Sequence, residues 1–428
     1  MTSQIPSQHK AIAYDKPGAA SIQYLTVDTP QPGKGDVLVR ITHSGVCHSD
    51  WGVMTRREGD VGPPAQPGQI GGHEGVGDIV AFGPNTEQSG LKLGDRVGIK
   101  WMARVCGSCF PCLAGRDGCC SNGTISGYGE PGTFQQYALA PANYVTRIPD
   151  ELTSELAAPM LCGGITVYAA LKKCGAKPGD AVVIMGGTGG LGHLALQMGG
   201  RGMGFRMIAI DYGDKKEFAE ECGAESYIDV SKYHTNDPQL TVDVKKVTPH
   251  KIGAAAVIVC TGANEAYTVA VSFVRFGGTV VCVGVPEGAP VAIASADPAT
   301  LISQEISIVG SVVGNRMDAI ETMEMAARGV VTTRVTVQPM STLMDIFDKM
   351  NKHQLKGRIK WGARLRNPQR RQPLLDFYWN SKGKNDCHNF LEESNLHITA
   401  LSYGDVAIGE SSPALLLIDG WDISRLNR

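Results

Sequence analysis

The heptapeptide GGTGGLG, residues 186–192, limits most strongly what this chain can fold into. It follows the apolar run AVVIM and opens the run LGHLALQM, whose apolar residues recur at helical spacing. Within it, Gly187, Gly189 and Gly192 are spaced G-x-G-x-x-G. A second apolar run, MIAID, ends at Asp211, 19 positions beyond Gly192. A strand, a glycine turn, a helix and a second strand ending in a carboxylate are the parts of a dinucleotide-binding unit. One glycine permits the tight turn, one lets the backbone approach a pyrophosphate, and one lets the helix pack on the strand. The helix N-terminus then offers free N–H groups to the phosphates. Asp211 would accept hydrogen bonds from ribose hydroxyls and repel a 2′-phosphate, so NAD is expected rather than NADP. Gly190 and Leu191 in the turn, with Val283 and Val285 in the run TVVCVGV, are counted among the cofactor-binding residues.

Strand-like and helix-like runs keep alternating around this unit. ELAAPMLCGGITVYAALKKCG and KKEFAEECG read as helices, and AAVIVCTG, TVVCVGV and ISIVGS as buried strands. This alternation predicts an α/β fold with a doubly wound parallel sheet. The region before it differs. KAIAY, DVLVRITHSG, GVGDIVAFG and GDRVGIKW carry β-branched alternation between Gly- and Pro-rich turns, so the first 150 residues or so read as β-rich. With 428 residues, the chain exceeds what one hydrophobic core usually covers. The expected layout is a catalytic domain over 1–157, a dinucleotide domain over 158–310, and a return to the first domain over 311–362. Residues 318–329 are expected to be helical, and 334–361 to form short strands around TLMDIFDKMNK. The tail over 363–428 joins no pattern seen earlier.

The chain is 43% apolar and 19% charged, with a net charge of −2. Nothing in that balance argues for nucleic acid or an anionic membrane as a partner. No apolar run approaches the length of a membrane span, and the first residues carry no presequence pattern. A cytoplasmic location is expected. In a reducing compartment, 12 cysteines point to metal ligands and small buried side chains rather than to disulfides.

Four of those cysteines, Cys106, Cys109, Cys112 and Cys120, stand in CGSCFPCLAGRDGCC at the spacing C-x2-C-x2-C-x7-C. Four thiolates can close a tetrahedral shell around Zn²⁺ with no open position, which describes a structural site. An iron–sulfur cluster also takes four Cys, but this loop lies between strands of a dehydrogenase-like chain. Cys119 competes with Cys120 for the fourth place, and Cys120 is preferred. Three further motifs share a different theme. They are GVCHSD with Cys47, GGHEGVG with His73 and Glu74, and PMLCGG with Cys162. Cys, His and Cys would make a three-ligand zinc site with an open fourth position, the arrangement of a catalytic metal.

These motifs, with SGYGEPGTFQQYA, LCGGITVYAALK, SIVGSVVGNR and LKGRIKW, resemble the zinc-containing medium-chain alcohol dehydrogenases, closest to the fungal fermentative type. The resemblance runs from about residue 8 to residue 361. It implies a GroES-like β-rich catalytic domain beside a Rossmann coenzyme domain. It implies two zinc ions per subunit, NAD, a small alcohol or aldehyde substrate, and a homo-oligomer, commonly a tetramer. Cys47, His73 and Cys162 would hold the catalytic zinc, with Glu74 as a carboxylate able to exchange on the metal. Asp50 would orient His73, since a carboxylate fixes the tautomer of a ligating imidazole. The metal would lower the pKa of the alcohol hydroxyl, and hydride would pass to the nicotinamide. Ser49 would relay the alcohol proton toward the nicotinamide ribose. His48 and Arg358 resemble phosphate contacts, and Lys215 or Lys216 a contact to the adenosine ribose. Trp101 resembles a wall of the alcohol pocket, with core packing as the other reading.

The expected activity is NAD-linked oxidation of primary alcohols to aldehydes, and the reverse. A dehydrogenase of polyols, secondary or aromatic alcohols would share the scaffold. A non-catalytic zinc- and nucleotide-binding scaffold would have no use for an open metal position. The chain departs from the resemblance in three places. WGVMTRREGDVGPPAQPGQ, on the substrate approach, differs from the short-alcohol type. Residues 363–428 have no counterpart; they read as an artefact of gene assignment, of low order, so that a chain ended near residue 364 should keep its activity. Thr55 stands eight residues after Cys47, where the fermentative enzymes often place a relay His. Replacing Thr55 by His is therefore expected to shift the pH profile of kcat between about pH 5 and 9, where imidazole titrates. An unchanged profile would remove Thr55 from the proton path.

Overall fold

The computed structural model describes residues 4–57, 60, 64–235, 237–286, 291–333, 337–352, 359–363 and 396–400. Arg358 and the rest of the tail lie outside the described residues, except Ala363 and Leu396–Ala400.

Six parallel strands form the sheet that the alternation predicts. In chain order they are Ala181–Met185, Arg206–Asp211, Ala224–Asp229, Ala254–Val259, Val274–Cys282 and Ser307–Gly310. Their order across the sheet is 3-2-1-4-5-6, the order of a doubly wound dinucleotide fold. All five residues of AVVIM are buried, because helices cover both faces. Val182 and Ile184 pack into one apolar cluster, and Ala181, Val183 and Met185 into the other. The ligand crevice of such a sheet lies beyond the carboxyl ends of strands 1 and 4, where the order reverses.

The β-rich region is built on the strand Asp36–Val46. It pairs with Gly75–Phe82, Tyr137–Pro141 and Ile359–Ala363, all antiparallel. A core of its own includes Val37, Val39, Ile41, Phe134 and Phe347. Two site residues emerge from this sheet together. Cys47 follows the end of Asp36–Val46, and His73 and Glu74 precede the start of Gly75–Phe82. Ser44 and Gly75 are register partners, and Gly45 N–H donates to Glu74 O at 3.0 Å. A Cβ on Gly45 would sit 1.8 Å from Glu74 Oε2, so any side chain there would displace the Glu74 carboxylate.

A continuous helical run, Ser154–Lys173, leads from this region into the parallel sheet. Its length and composition would suffice to cross a membrane, which corrects the expectation that no apolar run reaches that length. Its apolar side chains belong to the core; Ala157, Met160, Leu161, Val167 and Leu171 are all buried in the cluster under the sheet. The run changes to a π-helical turn at Met160–Gly164, directly after Pro159. Proline removes a backbone donor and crowds the preceding turn, and a π-turn is one way to absorb that. Cys162 lies in the middle of it.

The strand Leu396–Ala400 pairs antiparallel with Ile359–Ala363 across five residues. Ending the chain at residue 364 removes that partner but leaves Ile359–Ala363 paired to Asp36–Val46. Turnover should be retained, with a fall of a few degrees in melting temperature. Loss of turnover would show that the tail strand holds the site-bearing sheet in place.

Candidate active site and metal centres

Asp50 is the third residue of the helix His48–Thr55, and its carboxylate has two partners. Oδ2 accepts the backbone N–H of Cys47 at 2.8 Å, closing a capping box at the helix start. Oδ1 accepts Nδ1–H of His73 at 2.8 Å. Asp50 is 2% exposed and His73 is 1% exposed. Burial disfavours an imidazolium at His73, but the Asp50 charge and hydrogen bond outweigh it and raise its pKa well above the usual value. A metal at Nε2 would take the place of the second ring proton, with Nδ1–H still held by Asp50. The Nε2 atom is buried and has no hydrogen-bond partner among the described residues.

Nε2 faces a cluster of possible ligands. One ligand atom each from Cys47, His73, Glu74 and Cys162 lie within 4.8 Å of one another. The sulfurs of Cys47 and Cys162 are 3.9 Å apart. Two thiolates on one tetrahedral zinc at about 2.3 Å would be separated by about 3.8 Å, so the spacing suits that ion. Trp101 packs its ring edge-on to His73, with centroids 4.8 Å apart. It also lines the cleft in front of the cluster. The two readings of Trp101 are thus compatible.

A second cluster unites Cys106, Cys109, Cys112 and Cys120, again within 4.8 Å. Cys120 Sγ lies 3.6 Å from Cys106 Sγ and 3.8 Å from Cys109 Sγ, matching the same tetrahedral edge. Cys119 is exposed and stands outside the cluster. Backbone N–H groups of Ser108 and Cys109 hold the Cys106 thiol down at about 5. Burial pushes Cys112 up to about 12. A cation removes that conflict, since thiolates are the metal-binding form.

One cleft of about 2670 Å³ joins the first cluster to the glycine turn. Cys47, Cys162, His48, Ser49 and Thr55 line one end. Gly189, Gly190, Leu191, Asp211, Lys215 and Lys216 line the part at the glycine turn, and Val283 and Val285 line the same cleft. The glycines divide their work. A Cβ on Gly192 would lie 2.1 Å from Gly186 O, so this residue lets the helix sit on the turn. Gly187 packs against Ala209 in the same way, at 2.8 Å. A Cβ on Gly189 would meet only Gly186 O, at 3.3 Å, so its other sides are open to a ligand. Asp211 ends the second strand, and Lys215 Nζ lies 3.3 Å from its Oδ1. Lys216 instead pairs with Glu220 at 3.5 Å. Both lysines line the cleft, and Lys215 is the one beside Asp211.

Two features carried no sequence signal. Thr188 donates its backbone N–H to Asp211 Oδ2 at 2.8 Å, and its hydroxyl bonds the same oxygen. Thr55, in place of a relay histidine, donates its hydroxyl to Trp51 O at 2.9 Å, so its proton is committed to the helix backbone.

The family profile "Alcohol dehydrogenase GroES-like domain" matches residues 33–150, and "Zinc-binding dehydrogenase" matches residues 190–328. Alcohol dehydrogenase 2 of Emericella nidulans is 51% identical over 358 residues, which cover 83% of this chain and 98% of that one. The chain belongs to the zinc-dependent medium-chain alcohol dehydrogenases. The alcohol dehydrogenase of Schizosaccharomyces pombe is 39% identical over 353 residues, covering 82% and 97%. Among solved structures, the alcohol dehydrogenase of Aeropyrum pernix superposes with a TM-score of 0.70 at 29% identity, covering 82% and 98%. The acetophenone reductase of Geotrichum candidum, solved in complex with NAD, gives 0.70 at 27% identity, covering 84% and 98%. As a member of this family the chain is an NAD-dependent enzyme that uses zinc. Zinc rather than iron–sulfur is thus the metal.

Asp50→Asn tests the double role of that carboxylate. The amide keeps one acceptor for two donors and loses the charge. Metal affinity at the Cys47/His73/Cys162 cluster should fall about 10- to 100-fold, with the four-cysteine cluster unaffected. Zinc release against a graded chelator, read as two separate phases, measures both.

Proposed function

We propose that this dehydrogenase oxidises primary alcohols to aldehydes, and reduces aldehydes in reverse, at the Cys47/His73/Cys162 end of the cleft. The observation that carries the proposal is the buried Nε2 of His73, which has no hydrogen-bond partner among the described residues. It converges with two sulfurs at tetrahedral spacing beside a dinucleotide cleft. Three protein ligands leave a zinc position open to substrate, and Glu74 stands close enough to exchange into the shell. The four-cysteine cluster offers no open position and serves as the structural site.

When bound, zinc supplies Lewis acidity toward the alcohol oxygen, and NAD accepts hydride. The residues of the chain do the remaining work. Asp50 fixes the His73 tautomer and, through the Cys47 N–H, the helix that carries His48 and Ser49. Ser49 is exposed to the cleft and is the hydroxyl assigned to carry the alcohol proton away from the metal end. With the Thr55 hydroxyl bonded to Trp51, Ser49 or His48 would carry the proton from the metal end of the cleft toward water. Trp101 closes one wall beside His73, which favours small alcohols. Gly189, Gly190 and Leu191 receive the pyrophosphate, Asp211 and Lys215 the adenosine ribose, and Val283 and Val285 the wall between them. Arg358, assigned to the phosphates, lies outside the described residues.

The proposal extends to organisation. The pairing of Ile359–Ala363 with Asp36–Val46 supports one catalytic domain made of 1–157 and 311–362, interrupted by a coenzyme domain at 158–310. A homotetramer and a cytoplasmic location follow the fungal type that the sequence resembles.

Reduction of NAD and of NADP, followed optically with ethanol, longer primary, branched, aromatic and polyol substrates, tests the reading. The highest kcat/KM is expected for NAD with a primary alcohol. A preference for secondary alcohols or polyols would overturn the substrate assignment, and a preference for NADP would overturn the role of Asp211.

A further inference from the structure

The seven-residue link between Cys112 and Cys120 reaches across to the coenzyme side of the molecule. Asp117, in this link, is 2% exposed. Its Oδ2 accepts the backbone N–H of Arg316 at 3.2 Å and the Tyr144 hydroxyl at 3.3 Å. The Arg316 guanidinium stands 3.7 Å away. Asn315 Nδ2 donates to Gly115 O at 2.9 Å in the same link. Gly118 packs against Val312 and Val313, so closely that a Cβ would lie 3.0 and 3.1 Å from their methyl groups. From the catalytic side, Lys100 Nζ sits 3.7 Å over the Tyr144 ring, which buttresses the phenol that bonds Asp117.

The segment held this way is not an ordinary loop. It connects the sixth parallel strand, Ser307–Gly310, to the helix Arg316–Ala327. Gly310, Ser311, Val312, Val313 and Gly314 all line the dinucleotide cleft. Val313 has φ of 29°, in the left-handed region that a β-branched side chain avoids. Such a conformation persists only where the surroundings impose it. The surroundings here include the cysteine link.

We propose that Asp117 is a positioning residue for the cofactor: it fastens the cleft wall 310–316 to the metal-closed cysteine loop, so that the loop sets the affinity of the cleft for dinucleotide. A metal at the four cysteines fixes both ends of the link and holds Asp117 at the height of Arg316. The wall then stands ready before NAD arrives, and less ordering is needed on binding. The inference rests on the reading that the four cysteines hold metal and that the cleft takes NAD.

The test is NADH titration of the zinc-loaded protein by fluorescence, comparing wild type, Asp117→Ala, Arg316→Met and Glu321→Ala. Glu321 lies on the same helix as Arg316 but pairs with Lys172, away from the link, and serves as the control. Asp117→Ala is expected to raise the Kd for NADH roughly five- to tenfold. The KM for NAD should rise in parallel, kcat should change little, and both zinc ions should be retained. Amide exchange at 310–314 should accelerate, and Glu321→Ala should match wild type. A lower melting temperature with unchanged NADH affinity would reduce Asp117 to a stabilising contact and overturn the proposal. Should Asp117→Ala fail to fold or lose zinc, Arg316→Met decides: raised Kd supports the link, and wild-type Kd overturns it. A wild-type protein that failed to bind NADH would sink the functional reading itself, and the positioning role with it.

Discussion

A single buried carboxylate organises the metal end of this molecule. Asp50 accepts one hydrogen bond from the backbone of Cys47 and one from the ring of His73, each at 2.8 Å. A helix cap and an orienting contact would ordinarily need two residues. Here one carboxylate does both, so the position of the helix and the tautomer of the histidine are fixed relative to each other. Donors on both oxygens recover part of the cost of burying the charge, though burial still raises the Asp50 pKa above the usual carboxylate value. Everything nearer the substrate inherits this geometry. His48 and Ser49 ride on the capped helix, Nε2 of His73 points where the ring allows, and Trp101 packs edge-on to that ring.

The two sulfur-rich clusters differ in how the chain brings them together. The four cysteines lie within 15 residues, and local chain geometry gathers them. The Cys47/His73/Cys162 set is gathered by tertiary structure. Two of its members emerge from neighbouring antiparallel strands, and the third arrives on a helix that crosses between the two sheets. This difference suits their uses. A locally closed shell stabilises its own loop, whereas ligands drawn from three elements leave an open face toward the cleft between them.

Much of this was legible in the sequence, for identifiable reasons. The glycine turn and Asp211 declare themselves because the fold needs small residues and a carboxylate at fixed offsets. The two Cys/His clusters are visible because few other roles call for Cys and His in those contexts. The strand Ala224–Asp229 leaves little trace in the sequence, because AESYID is an edge strand whose face is half polar. The helix Pro238–Lys246 buries only Leu240 and Val244, too few to make a stripe. Lys215 and Lys216 are adjacent in sequence, and only the helix start separates one toward Asp211 and the other toward Glu220. The contact between Asp117 and Arg316 joins residues 199 positions apart, a distance over which no local pattern reports.

The π-helical turn that carries Cys162 has a consequence for how this enzyme can vary. Such a turn is equivalent to one extra residue threaded into an α-helix. The wide turn absorbs that residue locally, whereas an insertion or deletion in the regular parts of the run would turn everything before it by about 100° relative to everything after. Substitutions along the helix can be absorbed one side chain at a time, but a change of length cannot. The phase of that helix, rather than the identity of its apolar residues, keeps the third sulfur facing the other two. Along Ser154–Lys173 the residue count on each side of the wide turn is therefore a tighter constraint than the choice of apolar side chain.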